Sequence, residues 1–257
     1  MSYKIVFFDI DGTLLNSDHT IPASTLEAIH QVRKNGVEVA IATGRSPFHL
    51  QPIAEQLGID TFVSFNGSYN VCRGELIHHT PLASETLNRL ETLASANAHP
   101  MVFLSAENCY ANASNHPHVQ ESFLALRMPQ PGYRPNYWQE KAIYQVFLYC
   151  LEQEEHLYTE HFREVSYVRW HPKVIDVLPR NGSKARGIEV LLRRLGLRAE
   201  EAVAFGDGLN DREMLSYVGM GVAMGNAHDR VKALAKLVTR HVDDNGIYHG
   251  LKTLQLI

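Results

Sequence analysis

Cysteine is scarce: the 257 residues include three, Cys72, Cys109 and Cys150, at no CxxC spacing. That pattern argues against a disulfide framework or a structural zinc site and fits a reducing, cytoplasmic setting. Positive charge is not in excess either, with 24 Lys+Arg against 28 Asp+Glu and a net charge of −4. Neither nucleic acid nor an anionic membrane surface is therefore expected as a partner. No apolar run approaches the roughly 20 residues that a membrane helix needs. The opening MSYKIVFFDIDG lacks the h-region and cleavage site of a signal peptide. Internal repeats and low-complexity segments are missing too. What is present, 45% hydrophobic and 20% charged residues, suits a globular chain with a full core, long enough for one large or two modest domains.

Lys4–Phe8 is a short apolar run that stops at Asp9-Ile10-Asp11-Gly12, as a strand buried on both faces of a parallel sheet does. A helix is expected between Pro22 and Gly36, then a strand over Val37–Ala42 ending at Thr43-Gly44. Ser46-Pro47 opens a second helix that carries Leu50, Ile53, Ala54 and Leu57 up to Gly58. A strand over Thr61–Phe65 then ends at Asn66-Gly67. Such alternation implies βαβ units with right-handed crossovers.

The pattern changes after about Pro81. A helix over Ser84–Ala96 precedes strands near Met101–Ala106 and Tyr110–Ala113 and a helix from Pro117 to Leu126. After a proline-rich loop come a strand over Ala142–Cys150, a helix over Glu152–Phe162 and a hairpin of Val165–Trp170 with Val174–Leu178. These elements describe an α+β module with a largely antiparallel sheet. Pro179-Arg180-Asn181-Gly182 reads as a linker. From Ser183 the first pattern resumes, with Ile188, Leu191, Leu192 and Leu195 as a helical stripe closed by Gly196. The strand Ala202–Phe205 ends at Gly206-Asp207, and Gly221–Met224 precedes a helix opening at Asn226. The expected fold class is α/β: a doubly wound, Rossmann-like parallel sheet built from residues 1–81 and 181–257, with an α+β domain inserted at 82–180.

Ligands of an open parallel sheet bind outside the carboxyl ends of its strands. Four of these ends carry polar residues: Asp9 with Asp11, Thr43, Asn66 and Asp207. Alternation along an extended segment lets Asp9 and Asp11 project to one side. Two carboxylates that close call for a cation, and oxygen ligands alone favour Mg²⁺, with Asp207 able to complete the set. Taken singly, each segment has a plainer reading. DIDG and Asn66-Gly67-Ser68 are good turns, Thr43-Gly44 is a strand-to-helix turn, and Asn210-Asp211 can cap a helix. Lys184 opens its helix, where the dipole disfavours a cation unless an anion lies between them. Among the 14 histidines, His78-His79 and His116-x-His118 lack helical metal-ligand spacing and read as solvated surface. The aromatic stretch Tyr133–Trp138 reads as packing or an ordered loop.

Together the segments resemble the four motifs of the haloacid dehalogenase superfamily. These are FFDIDGTLL at Phe7–Leu15, IATGR at Ile41–Arg45, Lys184 in NGSKARGI, and GDGLND at Gly206–Asp211, in that order. The resemblance implies a phosphatase in which Asp9 attacks phosphorus to give an aspartyl-phosphate. Asp11 would protonate the leaving alcohol and then take a proton from water. Thr43 and Lys184 would hold the phosphoryl oxygens with backbone N–H groups of Ile10, Gly44 and Asn210. Mg²⁺ would be bound by Asp9, the Asp11 carbonyl and Asp207, with Asp211 in the outer shell or on a coordinating water.

The insert lies between the second and third motifs, which resembles the class II cap of the Cof-type subgroup, and DDNGIYHGL is similar to that subgroup's ending. This implies bacterial sugar-phosphate and cofactor phosphatases, with a cap that excludes water and sets specificity for a small phosphorylated metabolite. Arg45, Asn66 and Gly67 are candidate substrate contacts in the core, and Tyr110, Asn112, Asn115 and His116 in the cap. A phosphotransferase or mutase of the same superfamily is the alternative. A phospho-aspartate regulatory module is disfavoured by the insert and GDGLND, and a non-catalytic binder by the presence of Asp11 and Lys184.

Overall fold

The computed structural model describes residues 3–180 and 182–257. Two units are distinguished, one of residues 1–45, 49–79 and 183–257, the other of 46–48 and 80–182.

The first unit starts with β1 (Ile5–Phe8), in which every residue is buried. Alternation sends Val6 and Phe8 into one apolar cluster and Ile5 and Phe7 into another, one on each face of the sheet. α1 (Ala23–Lys34) buries Ala28, Ile29 and Val32 on the Val6 side. β2 (Glu38–Ala42) pairs parallel to β1, and α2 (Pro47–Leu57) adds Leu50, Ile53, Ala54 and Leu57 to the same cluster. β3 (Phe62–Ser64) pairs parallel to β2. The expected strand to Phe65 stops one residue early, because Phe65–Gly67 forms a 3-10 turn. An unanticipated antiparallel hairpin follows, β4 (Tyr69–Cys72) and β5 (Glu75–His79). Its two-residue turn, Arg73-Gly74, has φ of 51° and 78°. Positive φ at both positions matches the right-handed strand twist, and an arginine at the first of them gives little turn signal.

The second unit comprises, in chain order, α3 (Ser84–Ala96), β6 (Met101–Leu104), β7 (Cys109–Ala111), α4 (Pro117–Ala125), β8 (Gly132–Tyr133), α5 (Tyr137–Glu140), β9 (Gln145–Leu148), α6 (His156–Thr159), β10 (Val165–His171) and β11 (Val174–Pro179). Its sheet has the order β10-β11-β9-β6-β7-β8, and all pairs are antiparallel except β7 with β8. Leu87 and Leu90 of α3 pack with Phe103, Val146, Ile175 and Val177 of the strands. The proline-rich loop contains β8 and α5, whose Tyr137 and Trp138 are buried in this core. The single helix expected over Glu152–Phe162 is broken into a 3-10 turn, Glu152–Glu154, and α6. The Glu154 carboxylate folds back to accept the Leu151 N–H at 2.7 Å, which closes the tight turn. Pro179, read as linker, belongs to β11. Asn181 of that linker lies outside the described residues, as do Met1 and Ser2.

The chain returns to the first unit with α7 (Lys184–Leu195), capped by the Ser183 side chain and ended by Gly196 at φ 70°. β12 (Ala202–Gly206), α8 (Arg212–Tyr217), β13 (Met220–Ala223), α9 (Asp229–Lys232), β14 (Leu237–Val238) and α10 (Gly246–Thr253) follow. The sheet order is β14-β13-β12-β1-β2-β3-β4-β5, parallel from β14 to β3. The sequence winds outward from β1 through β2 and β3, and on the other side through β12, β13 and β14. The topological switch therefore lies between β1 and β12, and the crevice at their carboxyl ends is where such a sheet takes a ligand. The helix expected at Asn226 begins instead at Asp229, behind a His228 cap. Among the described residues no helix is long and apolar enough to cross a membrane.

Candidate active site

Asp9 directly follows β1, and its N–H donates to the Phe205 carbonyl at 3.0 Å, stitching the ends of β1 and β12 together. Lys184, at the start of α7, is fully buried between two carboxylates. Its Nζ donates to Asp9 Oδ1 and to Asp211 Oδ1, each at 2.6 Å. Asp211 Oδ2 in turn accepts the N–H groups of Asp207 and Gly208 at 2.9 and 2.8 Å. Asp211 thus ties the loop after β12 to the lysine while itself wholly buried. Asp9, Asp207 and Asp211 each offer an oxygen within 4.8 Å of the others, a set that could hold a metal ion. The Asp11 carboxylate is turned elsewhere: Arg45 grips it through Nε at 2.9 Å and Nη2 at 2.6 Å. Arg45, expected as a substrate contact, is therefore an Asp11 partner in this structure.

Among the described residues, four carboxylates meet two cationic side chains here. Burial pushes the Asp9 carboxyl well above its usual range, with Lys184 opposing and Asp211 and Asp11 adding to the rise. Asp207 is pushed up to about 6 by burial and by Asp211, against the hydrogen bond from Thr13. For Lys184, burial alone would depress the ammonium, but Asp211 and Asp9 outweigh it and hold the group above its ordinary value. The all-oxygen donor set and its surplus negative charge fit a hard divalent cation.

The remaining strand ends converge on the same place. Thr43 is buried; its Oγ1 accepts the Arg45 N–H at 3.1 Å, and its carbonyl accepts the Asn66 N–H at 3.0 Å. Phe65 and Asn66 both have positive φ, 48° and 50°, a conformation that costs non-glycine residues and tends to persist at functional sites. The Asn66 amide lies over Gly44, so that a Cβ there would meet it at 3.1 Å, and Asn66 Oδ1 accepts Asn210 Nδ2 at 3.1 Å. Gly67 has a packing task, since a Cβ there would overlap the Ser183 carbonyl. The Ile10 side chain is fully buried in the core, which leaves only its backbone for ligand contact. In the insert, Asn112 bonds Glu91 and the Met101 N–H, Tyr110 packs on Tyr137, and His116 caps α4; Asn115 has φ 52°.

Two site residues escaped the sequence reading. Thr13 Oγ1 donates to Asp207 Oδ1 at 3.0 Å. Asn226 Nδ2 donates to the Gly12 carbonyl at 2.8 Å and lies 3.3 Å from Asp207 Oδ2, while its Oδ1 accepts the Val242 N–H. Asn226 thereby joins the Asp9 loop, Asp207 and the segment before α10. The available signal was its place just beyond β13, one more polar residue at a parallel strand's end. A cavity of about 260 Å³ opens beside it, with Asp11, His19 and His241 in its wall.

Gly12 permits the close approach of these loops, with φ 73° and no room for a Cβ, which would overlap Asp207 Oδ2. Gly12→Ala adds left-handed strain of roughly 1–2 kcal/mol and displaces the Asp207 carboxylate. A fall of about 10²-fold in kcat/KM is expected from a displacement on the order of 1 Å. Steady-state kinetics beside a thermal melt check this; an unchanged kcat/KM would mean that the position of Asp207 is unimportant.

The profile of the haloacid dehalogenase-like hydrolases matches residues 6–251, so the chain belongs to that family, in its Cof-type branch, and is a phosphoric monoester hydrolase. YkrA of Bacillus subtilis (strain 168) is 42% identical over the full length of both chains. A crystal structure of a hypothetical protein from Geobacillus kaustophilus HTA426 superposes over 100% of both chains with a TM-score of 0.97 at 50% identity. A subclass IIB sugar phosphatase of the same superfamily gives 0.86 at 30% identity, covering 99% of this chain and 100% of that one.

Proposed function

We propose that the chain is a Mg²⁺-dependent phosphatase of small phosphorylated metabolites that works through an aspartyl-phosphate on Asp9. The observation that carries this is the buried Asp9–Lys184–Asp211 chain at the switch point, with Asp207 beside it. Lys184 orients Asp9 through Oδ1, leaving the other carboxylate oxygen to attack phosphorus. As the Asp9 O–P bond forms, the ester P–O bond breaks, and Asp11 gives the departing alkoxide a proton. Water then attacks the phospho-aspartate, Asp11 takes its proton, and the Asp9 O–P bond breaks to release inorganic phosphate. Donation by Asp11 requires that its pair with Arg45 open first. Lys184, the Thr43 hydroxyl and the N–H groups of Ile10, Gly44 and Asn210 hold the transferring oxygens, where preorganised donors matter most. Asp9, Asp207 and the Asp11 carbonyl would hold Mg²⁺, with Asp211 behind them. When bound, the ion screens phosphoryl charge from the attacking carboxylate.

The insert, 82–180, is read as the cap that sets specificity, because every reacting group lies outside it. The sugar phosphatase among the similar structures supports sugar phosphates as the first substrates to try, with phosphorylated cofactors next. The test is a panel of both, assayed with Mg²⁺ for released inorganic phosphate. At least one member should be hydrolysed with kcat/KM in the range of about 10⁴ M⁻¹s⁻¹ or above. Transfer of the phosphoryl group to a second metabolite without free phosphate would reassign the chain as a phosphotransferase.

A further inference from the structure

Three successive residues after β3, Phe65, Asn66 and Gly67, have positive φ of 48°, 50° and 97°. Glycine adopts this region freely, asparagine tolerates it, and phenylalanine does so at a cost. Neighbouring segments hold the chain there. The Phe65 N–H and the Ser64 hydroxyl donate to the Arg45 carbonyl at 3.1 and 2.7 Å, and the Asn66 N–H donates to the Thr43 carbonyl at 3.0 Å. On its other side, Gly67 lies against Ser183 and Gly187 at the start of α7, with no room for a Cβ. Asn66 is thereby fixed between the Thr43-Gly44 turn and the helix that carries Lys184.

An asparagine that serves only its own turn hydrogen-bonds the backbone two residues on. Asn66 reaches much further: its Oδ1 accepts Asn210 Nδ2 at 3.1 Å, 144 positions away. Its Nδ2 lies 3.1 Å from where a Cβ on Gly44 would stand, so the missing side chain of Gly44 admits the amide. Among the described residues this nitrogen has no acceptor. The Asn66 amide therefore spans Gly44 and Asn210, two residues whose backbone N–H groups are read above as phosphoryl donors. Gly44 and Asn66 are partly exposed and Asn210 is exposed, so this corner is open to solvent. A neutral amide held on strained backbone beside an anion site, with N–H groups to spare, is a preorganised donor.

We propose that Asn66 Nδ2 is a further donor to the transferring phosphoryl group, so that Asn66 reads the phosphate common to every substrate and not the leaving group. This deepens the phosphatase reading and rests on it for the reaction, though not for the binding of phosphate.

Two variants separate the donor from its surroundings. Asn66→Asp keeps the shape, the tolerance of left-handed φ and an oxygen for Asn210 Nδ2, but turns the donor into a charged acceptor. Asn66→Gly keeps the backbone conformation and removes the amide. Inorganic phosphate is titrated calorimetrically, with Mg²⁺, into the parent and both variants. Steady-state kinetics on acetyl phosphate and on the best metabolite of the panel, and a thermal melt, accompany the titrations. The phosphate Kd should rise at least about 10-fold in each variant, as expected for a lost hydrogen bond to a charged group. The rise should be larger in Asn66→Asp, whose carboxylate repels the anion. Both substrates carry the same phosphoryl group, so within each variant kcat/KM should fall by a similar factor on the two. An unchanged Kd in folded variants would end the proposal. Phosphate affinity lost in Asn66→Asp but kept in Asn66→Gly would also end it, because repulsion alone would then account for the loss. A fall in kcat/KM confined to the larger substrate would assign Asn66 to the leaving group instead. Asn66-dependent phosphate binding in a protein that hydrolyses none of the panel would keep the donor and remove the phosphatase reading. Hydrolysis with equal phosphate affinity in all three proteins would do the reverse.

Discussion

Asp9→Asn is expected to abolish turnover, lowering kcat by at least about 10⁴-fold, the scale seen when a catalytic nucleophile is removed. The amide has the shape of the carboxylate but is a poor nucleophile, so no phospho-enzyme forms. Stability should move differently. Burial, with Asp211 and Asp11 nearby, raises the Asp9 carboxyl far above its usual range. A carboxyl whose folded pKa lies above its unfolded one costs stability once pH exceeds the unfolded value. A neutral amide lifts that cost near pH 7, while Lys184 keeps its 2.6 Å contact with Asp211. The metal-free variant should therefore melt no lower than its parent while releasing no phosphate. Quantifying phosphate release and the thermal midpoint on one preparation tests both halves. A rate near that of the parent would remove Asp9 as the nucleophile. A collapsed midpoint would show that the Asp9–Lys184 contact is needed mainly for folding.

Much of the site was legible because its residues stand where strands end. β1, β2 and β12 are short apolar runs, and the polar residues after them are conspicuous against so little alternation. Periodicity also gave α1, α2, α3 and α7, whose buried residues lie on one stripe. What the sequence hid depends on partners distant along the chain. The bidentate grip of Arg45 on Asp11 spans 34 positions and has no local signal beside Thr43-Gly44. Asn226 looked like a helix opening, yet its amide serves Gly12 and the Val242 N–H instead. The β4–β5 hairpin was missed because Arg73 adopts positive φ without a residue type that announces it. In the insert, short helices such as α5 and α6 carry too few residues for a period to show.

Removing divalent metal is the other change with a large expected effect: chelation by EDTA should reduce hydrolysis to background, and added Mg²⁺ should restore it. The warrant is the charge count at the switch point, where, among the described residues, Asp9, Asp11 and Asp211 pair with Lys184 and Arg45 and Asp207 adds a fourth carboxylate. An incoming phosphoryl group brings more negative charge, and a carboxylate attacks phosphorus poorly unless that charge is screened. Metal binding should also appear in stability, independently of turnover. A ligand that binds only the folded state at 100 times its dissociation constant adds about 2.7 kcal/mol. In a chain of this length that is a rise of roughly 5–10 °C in the midpoint. Asp207→Asn should largely erase the Mg²⁺-dependent rise. Asp207 joins the oxygen cluster, and its backbone N–H, not its carboxylate, anchors the loop to Asp211. The amide keeps an oxygen for the Thr13 hydroxyl and gives up only the longer, 3.3 Å contact with Asn226, so the variant's own fold should survive and the missing rise reports lost metal binding. Full activity after exhaustive chelation, or a Mg²⁺-dependent rise that persists without the Asp207 carboxylate, would mean that the acidic cluster does not serve as a metal centre.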